Sequence, residues 1–182
     1  MSPSVRIASL ATLLLVLYAT PATSADLKPT DRVTVRIVPM THRDDGVRGL
    51  TLWNPALPFH VVVTNVSNQP LRLWREWCSW GYYNLSFEVT DEDGKTTTVK
   101  KKQRGWRKNY PDWFLVAPSE HMVFDITLDE SVWENPPLPE KGKSRVVKMR
   151  AVLEIPEDAD TKGSGVWTGK VVSPEHSYTI YR

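Results

Sequence analysis

Hydrophobicity in this chain repeats every two residues, and that period commits it to β-strands. Val33, Val35 and Ile37 alternate with Thr34 and Arg36, and Leu85, Phe87 and Val89 alternate with Ser86, Glu88 and Thr90. Met122, Phe124, Ile126 and Leu128 are interleaved with Val123, Asp125 and Thr127. Val147, Met149, Ala151, Leu153 and Ile155 follow the same rule. Each run puts one face on a core and one in water, as an antiparallel strand does. No segment carries a helical apolar stripe of useful length.

Phe59 to Val66 is less alternating, which predicts a central strand packed on both sides or one lying beneath a loop. Leu71 to Trp74, Val166 to Val172 and His176 to Tyr181 complete the strand set. Turn residues punctuate it. Asp91-Glu92-Asp93-Gly94 predicts a hairpin with Gly94 at positive φ. Ala117-Pro118-Ser119-Glu120 is a turn into the Met122 run, and Asn135 to Pro139 is stiffened by three prolines. Pro156 to Gly165 reads as a polar, flexible connection. About eight or nine short strands with uneven connections predict an all-β immunoglobulin-like antiparallel sandwich of Greek-key type.

The N-terminus sets the compartment. Arg6, an apolar run over Ile7 to Tyr18 and small residues from Ala19 to Ala25 have the layout of a secretory signal peptide, cut after Ala25. Residues 1–25 are therefore expected to be the signal peptide and 26–182 one β-sandwich domain, exported to the periplasm or beyond. The alternative is an uncleaved anchor, though the apolar run is short for a bilayer. The full chain carries a formal charge of +2, which falls to +1 without Arg6. That balance gives no electrostatic case for nucleic acid or an anionic membrane. The one basic cluster, Lys100, Lys101, Lys102, Arg104, Arg107 and Lys108, reads as a solvated hairpin end. Cys78 is the single cysteine. Its aromatic neighbours favour burial as a small hydrophobe over pairing with another chain.

No motif for chemistry stands out. His42, His60, His121 and His176 lack the spacing of a zinc site. Cys78 is followed by Ser79, Trp80 and Gly81, without the His and Met of a blue-copper site. Met40 with His42, or His121 with Met122, offers only a distant alternative for copper. Asp158, Asp160 and Gly163 sketch a calcium loop that Lys162 interrupts. Gly163-Ser164-Gly165 lacks the setting of a nucleophile elbow. The expectation is no enzyme, no metal and no cofactor.

Tryptophan is the informative residue, with eight in the chain. Trp74, Trp77 and Trp80 recur every third residue, so they cannot share one face of a strand, and part of that segment must be loop or bulge. With Trp106 and Trp113 they are the candidate binding residues, since indole brings large area and a polar handle. The competing reading is that the rings close one end of the sandwich over Cys78. Arg72, Arg75 and Arg107 could stack on them in either case. The sequons at Asn65-Val66-Ser67 and Asn84-Leu85-Ser86 read as chance occurrences.

The run Phe59-His60-Val61-Val62-Val63-Thr64-Asn65-Val66-Ser67-Asn68-Gln69-Pro70, then Leu85 to Asp91 with Asp93-Gly94, then Leu115 to Glu120, resembles the BsuPI-type proteinase inhibitor domain. The resemblance spans about Pro58 to Ile155 and implies an immunoglobulin-like sandwich with inhibitory activity. The N-terminal segment, the strand at Asp31 to Val38, the Trp-rich insertion and the extension around Trp167 depart from it. No inhibitory contact residue of that family is placed on this chain. Two expectations result. One is an exported binding or structural module that recognises a protein or polysaccharide of the cell envelope through loops and aromatic rings. The other is a secreted proteinase inhibitor, with Asn135 to Lys141 as its rigid loop.

Overall fold

The computed structural model describes residues 29–52 and 57–182, so the expected signal peptide lies outside the described residues. After a 3-10 turn at Pro29–Arg32 come β1 (Val33–Val38), β2 (Thr41–His42), β3 (Arg48–Thr51), β4 (Phe59–Asn65) and β5 (Leu71–Trp74). A short helix α1 (Ser79–Tyr82) leads to β6 (Leu85–Thr90), β7 (Thr96–Lys101), β8 (Trp113–Val116), β9 (His121–Ile126) and β10 (Trp133–Glu134). The chain ends with β11 (Ser144–Ile155), α2 (Ala159–Ser164), β12 (Gly169–Val172) and β13 (His176–Tyr181).

The strands form a three-stranded sheet ordered β1-β4-β9 and an eight-stranded sheet ordered β10-β7-β6-β11-β13-β3-β2, in which β12 also pairs with β11. A two-stranded ladder, β5-β8, continues the β4 and β9 legs beyond their loops. Pairing is antiparallel except between β3 and β13. The sheets face each other across one core. Val33, Val35, Val61, Val63, Phe124 and Ile126 come from the smaller sheet, and Leu85, Phe87, Met149, Leu153, Tyr178 and Ile180 from the larger. Phe59 meets Phe87 edge-on at 5.8 Å between the two sheets. Alternation in the sequence thus became burial, as the pleat requires.

Two breaks in the ladders are repaired by side chains. Pro174 interrupts the strand joining β12 to β13, and Ser173 bridges the gap: its N–H donates to Ala151 O (2.8 Å) while its hydroxyl accepts from Ala151 N–H (2.9 Å). Between β4 and β5 the buried Asn65 does the same work. Its Nδ2 donates to Gln69 O (2.8 Å) and Val116 O (2.9 Å), and its Oδ1 accepts from the N–H and hydroxyl of Ser67. The sequon asparagine is therefore a structural tie. Asn65→Ala is expected to cost about 2 kcal/mol in urea unfolding, because it strands several buried partners at once.

Several expectations change. β4 is central in its sheet but packs on one face only; His60, Val62 and Thr64 on the other face are half-buried. Pro156 to Gly165 is not a flexible connection, because it holds α2, capped reciprocally by Asp158 and Thr161 and closed by Gly165 in the left-handed region. The strand expected from Val166 begins only at Gly169, with Val166 making an isolated bridge to Arg72. The Asp91–Gly94 hairpin is present, with Gly94 at φ 79°.

Candidate functional site

The β5-β8 ladder runs one step past Trp74, where Arg75 N–H donates to Asp112 O (2.9 Å). The chain then folds back on itself. Cys78 is fully buried, and its thiol donates to Arg75 O at 3.1 Å. Gly81 N–H and Tyr82 N–H both return to Cys78 O. Ser79 and Asn109 exchange hydrogen bonds, fastening this turn to the segment after β7. The Trp-rich stretch leaves strand geometry where its spacing said it must.

Its rings separate. Trp74 is 3 % exposed and belongs to the core, so it is removed from the contact set. Trp80 lies 6.2 Å from Trp74, packs on the core and donates its indole N–H to Asp160 (2.7 Å). Trp113 also packs on the core, under the Arg72 guanidinium at 4.0 Å, and Arg72 itself is held by Ser164 O at 2.6 Å. Trp106 is half-buried, against Tyr82 (5.5 Å) and the Arg104 guanidinium (3.9 Å). Trp77 remains 40 % exposed. Its indole N–H donates to Asp112 (2.9 Å), its ring meets Tyr110 edge-on at 4.8 Å, and Asp112 also takes Arg75 at 3.1 Å. The five candidate tryptophans therefore do not make one patch.

Trp77 instead forms one wall of a groove of about 590 Å³. Arg75, Glu76, Tyr82 and Arg104 share that wall, and Phe114 of β8 with Met122, Val123 and Phe124 of β9 form the other. Arg104 stacks over Tyr82 at 4.3 Å as well as over Trp106, and donates to Trp77 O at 3.4 Å. Among the described residues no carboxylate lies within salt-bridge distance of it. A guanidinium held over two aromatic rings with its charge unanswered is a ready receptor for an anion.

Behind this wall lies Lys101, 5 % exposed. Its ammonium pairs with Glu76 and sits over Tyr82 (4.4 Å) and Trp133 (5.4 Å). Burial, and secondarily the charge of Arg104, pushes it down to about 8. The basic cluster is thus solvated except at one position: Lys100, Lys102, Arg104, Arg107 and Lys108 are exposed, and Lys101 is the exception. Lys101 is buried, Arg104 is stacked, and Lys100 pairs with Glu134 at 3.4 Å. The sequence held a signal for this: Val99 and Lys101 share parity on β7, so the lysine shares the inward face.

The other expected features are engaged in structure. Asp158 caps α2, and its carboxyl is held below the ordinary range by the Thr161 N–H. His121 is hydrogen-bonded to Thr64 at 2.9 Å. Among the described residues, no three His, Cys, Asp or Glu side chains converge as metal ligands would. The proline loop Asn135 to Lys141 does not stand out as bait for a protease: Pro137 and Pro139 are buried, and Leu138 packs on the core. No family model matches the chain, and no curated protein or solved structure matches it either.

Proposed function

We propose that the chain is an exported, non-enzymatic binding module of immunoglobulin-like, Greek-key sandwich type, and that its ligand is a protein of the cell envelope held in the Trp77–Arg104 groove. The observation carrying this reading is the pairing of an exposed indole with an unanswered, ring-stacked guanidinium, opposite an apolar strand. Trp and Arg are the residues that most often anchor interfaces. Both are already held in place here, Trp77 by Asp112 and Arg104 by two rings, so binding loses little side-chain freedom. The sandwich assignment draws on the two facing sheets and on the pairing of β4 with the sequence-distant β9. Export rests on the N-terminal sequence.

A protein ligand is favoured over a polysaccharide because Trp77 meets Tyr110 edge-on and hydrogen-bonds Asp112, which leaves no row of open ring faces for successive sugars. The proline loop supports the inhibitor reading less well, as Pro137 and Pro139 are buried and the exposed positions are Asn135, Glu140 and Lys141. The test is affinity capture from a native envelope extract by the mature chain and by a Trp77→Ala/Arg104→Ala variant of verified fold. Capture of a protease-sensitive component, weakened about tenfold or more in the variant, is the expected result. No capture, equal capture by both chains, or capture of a protease-resistant glycan overturns it.

A further inference from the structure

The groove has a second property, set by its strand rather than by its rings. Met122, Val123 and Phe124 are consecutive, yet all three line it. On a strand whose side chains alternate between faces, three successive residues meet one groove only along the strand's edge. β9 is that edge: it pairs with β4 on one side, and no described strand pairs with the other.

The register shows which backbone groups are left over. Asn65 N–H donates to Glu120 O (3.1 Å) and Ser119 N–H donates to Asn65 O (2.9 Å), which fixes the phase of the ladder beyond the turn. Alternate pairs in an antiparallel ladder exchange hydrogen bonds, so Met122, Phe124 and Ile126 bond to β4. His121, Val123 and Asp125 turn their N–H and C=O groups outward. The β1 side agrees: Val66 N–H donates to Arg32 O, which assigns Thr64, Val62 and His60 to β1 and leaves Val63, Val61 and Phe59 for β9. Proteins usually blunt such edges with Pro, Lys or a mid-strand bulge. β9 has none of these; its one acidic residue, Asp125, sits near the end of the strand and is bonded to His60 of β4 (2.7 Å), and its central Val123 is 54 % exposed.

We infer that this edge takes a strand from the partner: an extended segment of about six residues that adds to β9 and carries an Asp or Glu side chain that reaches Arg104 across the groove. This deepens the proposed function and rests on it. Backbone pairing along His121, Val123 and Asp125 supplies the sequence-tolerant part of recognition. The apolar wall of Phe114 and Met122 suits the segment's inward side chains. Arg104 supplies selection, because a stacked guanidinium presents a fork of donors that a carboxylate can accept in pairs.

The probe is a phage-displayed library of random dodecapeptides, selected on the mature chain. Expected are proline-poor peptides rich in β-branched residues, with an acidic residue at a fixed position. Hydrogen exchange with the best synthetic peptide should protect the amides of His121, Val123 and Asp125. Binding should fall about tenfold or more on changing its acid to the amide, or on N-methylating alternate backbone nitrogens. In Arg104→Ala the acid and amide peptides should bind equally. Val123→Pro removes one outward N–H without touching the β4 ladder, and should abolish binding while the fold survives; should that variant not fold, the N-methylated peptides make the same discrimination.

An empty selection, or bound peptides that leave those three amides unprotected, overturns the inference. So does self-association of the chain that Val123→Pro abolishes, since the edge then belongs to a second copy. Envelope capture that is lost in Trp77→Ala/Arg104→Ala but intact in Val123→Pro sinks strand addition alone. Capture indifferent to all three changes sinks the proposed function with it.

Discussion

Replacing Gly81 by alanine is expected to destabilise the protein by about 4 kcal/mol, at the upper end of what single substitutions do. The reason is space, not backbone conformation. A Cβ at this position would stand 2.1 Å from the carbonyl oxygen of Arg75 and 2.5 Å from its carbonyl carbon. Those are backbone atoms locked on both sides. Arg75 N–H is bonded to Asp112, and Arg75 O accepts from the Cys78 thiol and the Cys78 N–H. Overpacking against flexible side chains is often absorbed; here the turn itself must open. Opening it frees Trp77 from Asp112, so stability and ligand capture should fall together. Gly163→Ala is the control. It lies in α2 with nothing within 4 Å of its added Cβ, and should be neutral or stabilising by up to about 1 kcal/mol. Urea unfolding of the two variants separates them. A midpoint unchanged in Gly81→Ala would mean that the turn is looser than its hydrogen bonds indicate.

The contrast between those glycines marks what a sequence of this kind can convey. Strands long enough to show a period, such as Val33–Val38 and Leu85–Thr90, were legible because alternation and burial are one geometric fact. Thr41–His42 and Trp133–Glu134 were not, since two residues carry no period. The parallel pairing of β3 with β13 joins Gly49 to Thr179, a tertiary match with no local trace. α2 hides behind an unusual cap in which Thr161 replaces the expected acidic partner of Asp158. The site follows the same logic. Spacing alone located the Trp-rich turn but could not say which ring stays outside. Trp74 is buried and Trp77 exposed because the ladder ends between them. Alternation likewise identifies the two faces of β9 and is silent about its edge, which depends on whether a neighbour is present. The groove's principal charge, Arg104, sat in a cluster that composition made look merely solvated.

The burial of Lys101 should give the protein an alkaline stability profile with a maximum near pH 10. Lys101 titrates at about 8 in the folded chain, because burial and Arg104 disfavour its charge, against 10.5 when unfolded. Between those values the unfolded chain holds the extra proton, so stability rises with pH across that interval, by about 3 kcal/mol at most. Tyr178 opposes it above pH 10. Its hydroxyl is buried without a hydrogen-bond partner among the described residues, and burial raises it from 10.0 to about 12. There the unfolded chain loses the proton first, and stability falls as pH climbs from 10 to 12. Denaturant midpoints measured from pH 7 to 11 should therefore rise and then turn over. Tyr178→Phe should remove the descent and cost nothing at pH 7, since it deletes an unpaired buried hydroxyl. Glu76→Gln should lower stability at pH 7 by about 2–4 kcal/mol by leaving the buried ammonium uncompensated, and should start the rise at lower pH. Lys101→Met keeps the stem and removes the charge, so it should abolish the rise and leave the chain as stable as the parent or more so. A flat profile in the parent, or a Lys101→Met variant weaker than Glu76→Gln, would show that the ammonium is solvated and that the wall of the groove is open where the packing closes it.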